Sequence, residues 1–535
     1  MDLSDSRECA RTSTVALSGK RSARKPAWVL FVGLVAIYHA NDGIVEEGDA
    51  VANLGLPIAL LEHGTLAFSR TNNPEMFNWR SLPPMTPRDD LYVRTWKWVV
   101  DKDFAYHWRD KGKIQFNGVR YFAVKAPARG LYVSTFGPIP GFTLIPLVQV
   151  MLWIDSNFPH KVPLKWSAAK LQASAMVAAS AVFLFLLALQ ISGRRPALVL
   201  AWAYGLGTCV WTTSSQTMWQ QTVNMFFLML GAYLLICRPK TTLTSVLSGL
   251  AFGTAVACRH TSLLVLAPVG VYLLMRDRQR VIPFGLGTMP LPMVVAIYNT
   301  YFFGRPWSFA QEVVGHEIAM EKTGSPDLWQ TPLLDGLAGL LFSPSRGLAI
   351  FSPFLLLSAW GVVRIWRRSE LSWLRPLSIG ALAIMLLQCK WFDWWGGWSY
   401  GYRPWLDAVP FLALFVAPVL DTIASRWFLR WAFGVTVGWS IAVQALGAWA
   451  YDKSWNERTI FLVQQPDGST KRAYDDYYEA EALAQRTGGK IVKRYQCNVD
   501  VLRCRYRLWS LEDNILTYYV KNGQEARQRR WRSGW

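Results

Sequence analysis

The chain has 535 residues, 52% of them hydrophobic, with a formal net charge of +20 from 56 basic and 36 acidic side chains. The apolar residues come in repeated blocks of about 15–25, the length that crosses a bilayer, which excludes a soluble multidomain protein and a barrel of short alternating strands. In such a chain the basic excess reads as cytoplasmic loop charge and contact with anionic membrane lipids, not as a nucleic-acid surface.

Residues 1–26 carry Arg7, Arg11, Lys20, Arg21, Arg24 and Lys25 ahead of the first apolar block, 27–41. This basic flank belongs in the cytoplasm, and no small-residue cleavage site follows Ala40, so the block reads as an uncleaved first span. A long polar loop, 42–135, then lies on the non-cytoplasmic side. It opens with Glu46-Glu47-Gly48-Asp49, followed by apolar residues at near-helical spacing from Ala50 to Leu61. Asp49 is placed either as a first-turn acid favoured by the helix dipole or as a general base working at the membrane surface. Glu46 and Glu47 compete with it locally, and the acids together are able to hold a divalent cation, although these acids form no D-x-D pattern.

Lys125 and Arg129 close the loop. Residues 136–154 are apolar but interrupted by Gly137-Pro138-Ile139-Pro140-Gly141 and Pro146. Proline breaks helical hydrogen bonding, so this block is expected to be an interfacial or re-entrant helix. That choice lets every later basic cluster face the cytoplasm: Arg194-Arg195, Arg238 and Lys240, Arg276 to Arg280, Arg364 to Arg368, and Arg426. Spans then fall near 168–191, 196–214, 217–236, 244–259, 261–275, 281–303, 346–364, 374–390, 404–424 and 427–449, about eleven with the first. The loop 304–345, the segment Trp391–Arg403 and the tail 450–535 share the outer face with the first loop. The fold class is an all-α polytopic membrane protein with a small mixed α/β C-terminal domain, helical over 478–487 and strand-like over 490–495 and 501–508.

Cysteine usage gives no metal-ligand spacing. Cys209, Cys237, Cys258 and Cys389 read as packing residues, whereas Cys497 and Cys504 can pair if the tail faces an oxidising compartment. His316-Glu317 opens like a zinc-protease motif, but Met320 stands where the second histidine is required.

On the expected outer face, Lys125, Arg259-His260, Arg346, Lys390 and Arg403 form a set of cations able to bind a lipid-linked phosphate, since arginine presents a fork matched to phosphate oxygens. Snorkelling at span ends is the alternative for each. Between Trp391 and Arg403, the rings of Trp394, Trp395 and Tyr400 could stack on a sugar or isoprenoid, with the glycines permitting tight turns; an interfacial aromatic anchor is the other reading.

Several blocks together carry a resemblance. They are Gly48-Asp49 to Gly64-Thr65-Leu66, Tyr132 to Gly141, Gly205 to Thr208 with Trp211 and Gln220, Gly249 to Leu264 with Arg259, Phe342 to Gly347, and Trp394 to Arg403. In order and spacing over most of 28–420, the chain resembles the GT-C class of polytopic glycosyltransferases. The likeness is to bacterial proteins similar to protein O-mannosyltransferases and aminoarabinose transferases. The resemblance implies a polyprenyl-phosphate sugar donor, a glycan, lipid or protein acceptor, interfacial helices in the first loop, and a bacterial inner membrane with the site on its periplasmic side. It also implies a catalytic aspartate at Asp49, with Glu47, Lys125, Arg259, His260, Arg346, Lys390, Trp394, Trp395, Tyr400 and Arg403 around the substrates. Many relatives have glutamate after this aspartate, where Ala50 stands here, and often proline at the positions of His260 and Tyr402. A transporter or flippase of lipid-linked sugars, or a non-catalytic assembly protein, are the rival readings; the first predicts mid-span charges and symmetry between halves.

Overall fold

The computed structural model describes residues 23–41, 48–69, 123–158, 167–475 and 477–533. The N-terminal 1–22, most of the first loop, and Glu46 and Glu47 lie outside the described residues. The first apolar block forms helix α1, 23–39. The stretch after Gly48 forms α2, Gly48–His63, and a hairpin of β1, Ala123–Lys125, and β2, Tyr132–Ser134, closes the first loop.

Six helices among the described residues are long and apolar enough to cross a membrane. They are α3, Ile139–Asn157; α4, Ala168–Ala188; α6, Gln220–Cys237; α9, Arg278–Phe303; α13, Ser369–Lys390; and α15, Trp427–Ala450. Between them run shorter apolar helices: α5, Arg194–Gly207; α7, Thr242–Cys258; and α8, Leu263–Arg276. Next come α10, Ala310–Thr323; α11, Leu333–Phe342; α12, Leu357–Arg367; and α14, Val409–Ser425. Local sequence accounts for several of these limits. Thr241 and Thr244 form a reciprocal cap that starts α7, and Gly304, at φ 79°, ends α9. The block expected as one span over 346–364 is broken instead into Leu348–Phe351, a 3₁₀ turn Pro353–Leu356 and α12, because Pro353 supplies no N–H to continue the first piece.

Helix ends assigned by loop charge to one side meet in space. Asn41, past the end of α1, donates 2.7 Å to Gln216 Oε1 and 2.8 Å to Ala448 O, and accepts 2.6 Å from Lys170 Nζ. At the other level Arg280 Nε donates 2.8 Å to Ser245 Oγ, Lys240 pairs with Asp277 at 3.2 Å, and Arg364 donates 3.0 Å to Pro418 O. Two groups of helix ends are thus tied together, one around Asn41 and one around Arg280.

α3 departs from its expectation in one respect. It is a continuous helix of 19 residues despite Pro146, since the ring removes one backbone bond without ending an apolar run held from outside. Its packing is nevertheless confined to one level. Thr143 accepts from Gln172 in the second turn of α4, Met151 meets Ser167 before α4, and Phe136 O, ahead of α3, accepts from Gln220 at the start of α6. On its other side Gly141 lies against α2 so closely that a Cβ would sit 2.9 Å from Leu56 and 3.1 Å from Asn53 O. α2 and α3 thus pack closely on each other and on the ends of α4 and α6.

In the tail a small sheet has its own core, while Trp455, Leu508, Ile515 and Tyr519 pack into the main core. β3, Glu457–Gln464, lies between β4, Thr470–Tyr474, and β5, Lys490–Asn498, all antiparallel. α16, Tyr477–Thr487, covers one face, and α17, Ile515–Ser533, follows. Cys497 and Cys504 are disulfide-bonded, with Cα atoms 5.6 Å apart. The expected strand over 501–508 is instead a 3₁₀ helix, Leu502–Leu508. Its alternating basic residues mimic strand spacing, yet Arg507 turns fully inward, bonding Asp513 at 2.6 Å and Cys497 O at 3.0 Å.

Glu457 starts β3 partly buried. Burial, reinforced by the Asp500 charge and opposed by Arg507, pushes its carboxyl up to about 7. A folded-state value above the unfolded one means protonation favours the fold, so this contribution is complete below the unfolded value and lost as pH rises through about 7. Between pH 5 and 8 the tail should lose stability in thermal unfolding of the detergent-solubilised protein. Glu457→Gln should flatten that slope and gain on the order of 2–3 kcal/mol at pH 8; an unchanged slope would count against the assignment.

Candidate functional site

Asp49 falls in the first turn of α2; its side chain lies outside the described residues. One turn further, Asn53 Nδ2 donates 2.7 Å to Met218 O, which fixes the start of α2 against the residues preceding α6. The next residue, Trp219, carries the Arg403 guanidinium over its ring, 4.4 Å from the centroid. Farther along α6, Asn224 Nδ2 donates 2.8 Å to Asp407 Oδ1, and Asn224 Oδ1 accepts 2.6 Å from Ser262 Oγ. The other oxygen of Asp407 lies 2.9 Å from Arg259 Nε, with Asp407 fully buried and Arg259 nearly so. Beside them His260 stacks on Phe309, centroids 4.6 Å apart.

The backbone explains these placements. Arg259 sits at the break between α7 and α8 in an extended conformation, φ −145° and ψ 110°, so it leaves the helix axis. Pro404 sets a 3₁₀ turn over Arg403–Trp405, and Asp407 follows one turn after Arg403. Of the expected residues, Arg259, His260, Arg403 and the helix bearing Asp49 are thereby linked through one segment, 218–224.

This junction is short of hydrogen-bond partners. Asn53 Oδ1, Trp219 Nε1, Arg259 Nε, Thr261 Oγ1 and Asp407 Oδ2 are all shielded from solvent without one. The Arg259–Asp407 contact is therefore ionic but not an aligned hydrogen bond. Buried polar atoms are nearly always satisfied, and their concentration at one place marks where polar groups from water or a ligand fit.

The remaining expected residues go elsewhere. Arg346 is fully buried, and its guanidinium is occupied by carbonyls. Nε donates 3.0 Å to Trp395 O, one terminal nitrogen 3.0 Å to Ser345 O, and the other 3.1 Å to both Gly397 O and Asn456 Oδ1. It is a structural cation rather than a phosphate ligand, because its donors are spent on the backbone. Trp394 and Trp395 are buried against each other, and Trp395 Nε1 donates 3.0 Å to Asp500. Tyr400 is buried with its hydroxyl on Val443 O at 2.9 Å. Their faces are taken by protein, so none is a platform for sugar. Gly396, Gly397 and Gly401, with φ of 75°, 61° and 77°, give the tight turns expected of this segment. Lys390 is exposed at the end of α13, and Lys125 is half-buried on the hairpin; no described contact joins either to the junction. Glu47 lies outside the described residues.

Two further ionisable residues belong to this region. Asp407 is the lone acid in the apolar stretch 404–420, and Lys170 the lone cation in 168–191; an ionisable residue inside a span is itself a signal of function. Among the described residues no group of His, Cys, Asp and Glu could hold a metal ion, and the acids at 46–49 are not in that set. Neither a protein-family model nor any curated protein matches the chain.

Arg346→Lys tests the structural assignment. Lysine keeps the charge but cannot reach the carbonyls in several directions. The variant should lose on the order of 3 kcal/mol of stability and expose the tail to protease; wild-type protease resistance would refute the role.

Proposed function

We propose that the protein is a GT-C-like membrane glycosyltransferase that moves a sugar from a polyprenyl-phosphate donor to an acceptor on the non-cytoplasmic face. The observation that carries the reading is the junction at 218–224, where the helix bearing Asp49, the cations Arg259 and Arg403, and a group of unpartnered polar atoms converge. About eleven crossings, with α2 and α3 lying in the interface, fit the two groups of helix ends. The disulfide in the tail fits an oxidising compartment such as the periplasm of a bacterial inner membrane.

In this mechanism the isoprenoid tail lies among the helices and Arg403 grips the phosphate. Arg259, neutralised by Asp407, shapes the pocket rather than adding charge to it. Asp49 takes the proton of the acceptor hydroxyl as that oxygen attacks the anomeric carbon. The bond from the anomeric carbon to the phosphate oxygen breaks with inversion, and the leaving lipid phosphate carries the charge that Arg403 stabilises.

The test is release of free polyprenyl phosphate from defined lipid-linked sugars by the purified protein in detergent. Asp49→Asn should cut turnover roughly 10²–10⁴-fold with folding intact. Arg403→Ala should raise KM for the donor about tenfold or more while binding of acceptor holds. Undiminished turnover in Asp49→Asn would end the assignment. Transbilayer movement of the lipid in vesicles without any release would establish the flippase instead.

A further inference from the structure

The tail sheet has one face packed by α16, through Phe461, Val463 and Ala473. Side chains alternate along strands, so Ile460 and Leu462 point to the other face, with Tyr474, Tyr495 and Tyr506 around them. Leu462 has Arg472 directly across on β4 and Lys493 directly across on β5. These two positions are therefore about 10 Å apart, two strand spacings. Arg503, from the 3₁₀ helix, joins them: its guanidinium lies 5.4 Å from the Tyr495 centroid, while Lys493 lies 5.9 Å from the same ring and Arg472 4.3 Å from Tyr506.

All three cations are exposed, and none has an ion-pair partner among the described residues. Among the described residues, three acids of the tail are committed elsewhere. Asp475 pairs with Arg458, Asp513 with Arg458 and Arg507, and Asp500 with Lys322. Glu479 and Glu481 are on α16, which covers the opposite face. The Tyr506 hydroxyl on this face is shielded and unpartnered. The aromatic rings hold the cations outward at fixed positions, which lowers the ordering cost of binding a multivalent anion.

We infer that this face of the tail sheet docks an acidic polysaccharide, one bearing carboxylate or phosphate groups at intervals along a sugar chain. Charge complementarity selects an anion. The spacing of the cations selects a polymer over a single small ion. The disulfide-bonded setting selects a glycan over nucleic acid. The inference rests on the transferase reading only in naming this polymer the acceptor; docking itself does not depend on it.

The test uses full-length protein in detergent with polygalacturonate as probe, neutral dextran as control, and single-stranded DNA and phosphatidylglycerol vesicles as competitors of other classes. Polygalacturonate should bind, dextran should not, and raising salt should weaken binding. The combined Arg472→Ser, Lys493→Ser and Arg503→Ser protein should bind at least tenfold more weakly, with an unchanged melting transition. Hydrolysis or transfer of the donor to a small soluble acceptor should be untouched by these changes, which separates failure here from failure of the transferase reading. Equal binding by the triple variant, no binding by the wild type, or preference for DNA or for the vesicles would each overturn the proposal.

Discussion

One end of this protein depends on one buried guanidinium. Arg346 reaches the loop it starts from, the Trp-rich turn through Trp395 and Gly397, and the tail through Asn456. A cation removed from water is tolerated only when its donors are matched, and here main-chain carbonyls supply most of the match. Neighbouring bonds follow the same plan. Lys322 bridges Asp393 and Asp500 at 3.0 and 3.1 Å, and although burial works against its charge the two carboxylates outweigh it and raise its pKa. Ser343 Oγ donates 2.5 Å to Leu508 O, and Phe392 N donates 2.9 Å to Leu328 O. Three stretches far apart in sequence become one body.

That body and the junction at 218–224 divide the polar residues between two tasks. Rings and Asp393 of the Trp-rich turn before Tyr402 secure the tail, whereas Arg403 and Asp407, only a few residues later, turn toward α6 and the break at Arg259. A single segment thus serves packing at one end and the candidate site at the other. The contrast in hydrogen bonding supports the division: Arg346 is saturated, while Arg259 and Asp407 each keep an atom without an aligned partner.

Much of the helical plan was legible because apolar length and basic loop charge are direct physical requirements of a bilayer. Five of the six long helices coincide with expected spans, and the sixth, α3, was expected as a helix lying in the interface. What charge and proline could not give was its continuity past Pro146, since that depends on support from α2. For the site, sequence gave cations near span ends but not their partners. Arg346 and Arg403 look alike in the chain; only tertiary packing decides that one is surrounded by carbonyls and the other set over Trp219. Tyr400 and Trp395 were misread for the same reason, because a ring that stacks on sugar and a ring that fills a core have the same composition. Asp407 and Lys170 carry a readable signal, lone ionisable groups within apolar runs.

The reach of Arg346 to Asn456 also has a bearing on biogenesis. The side chain is made early, with more than a hundred residues still to be synthesised before its last acceptor arrives. Until the C-terminal unit has been made, that charge faces a half-built shell, and this end of the molecule cannot adopt its final form. Maturation of this end therefore waits for the end of synthesis, and a prematurely terminated chain is left with an unsheltered ion that quality-control proteases can detect.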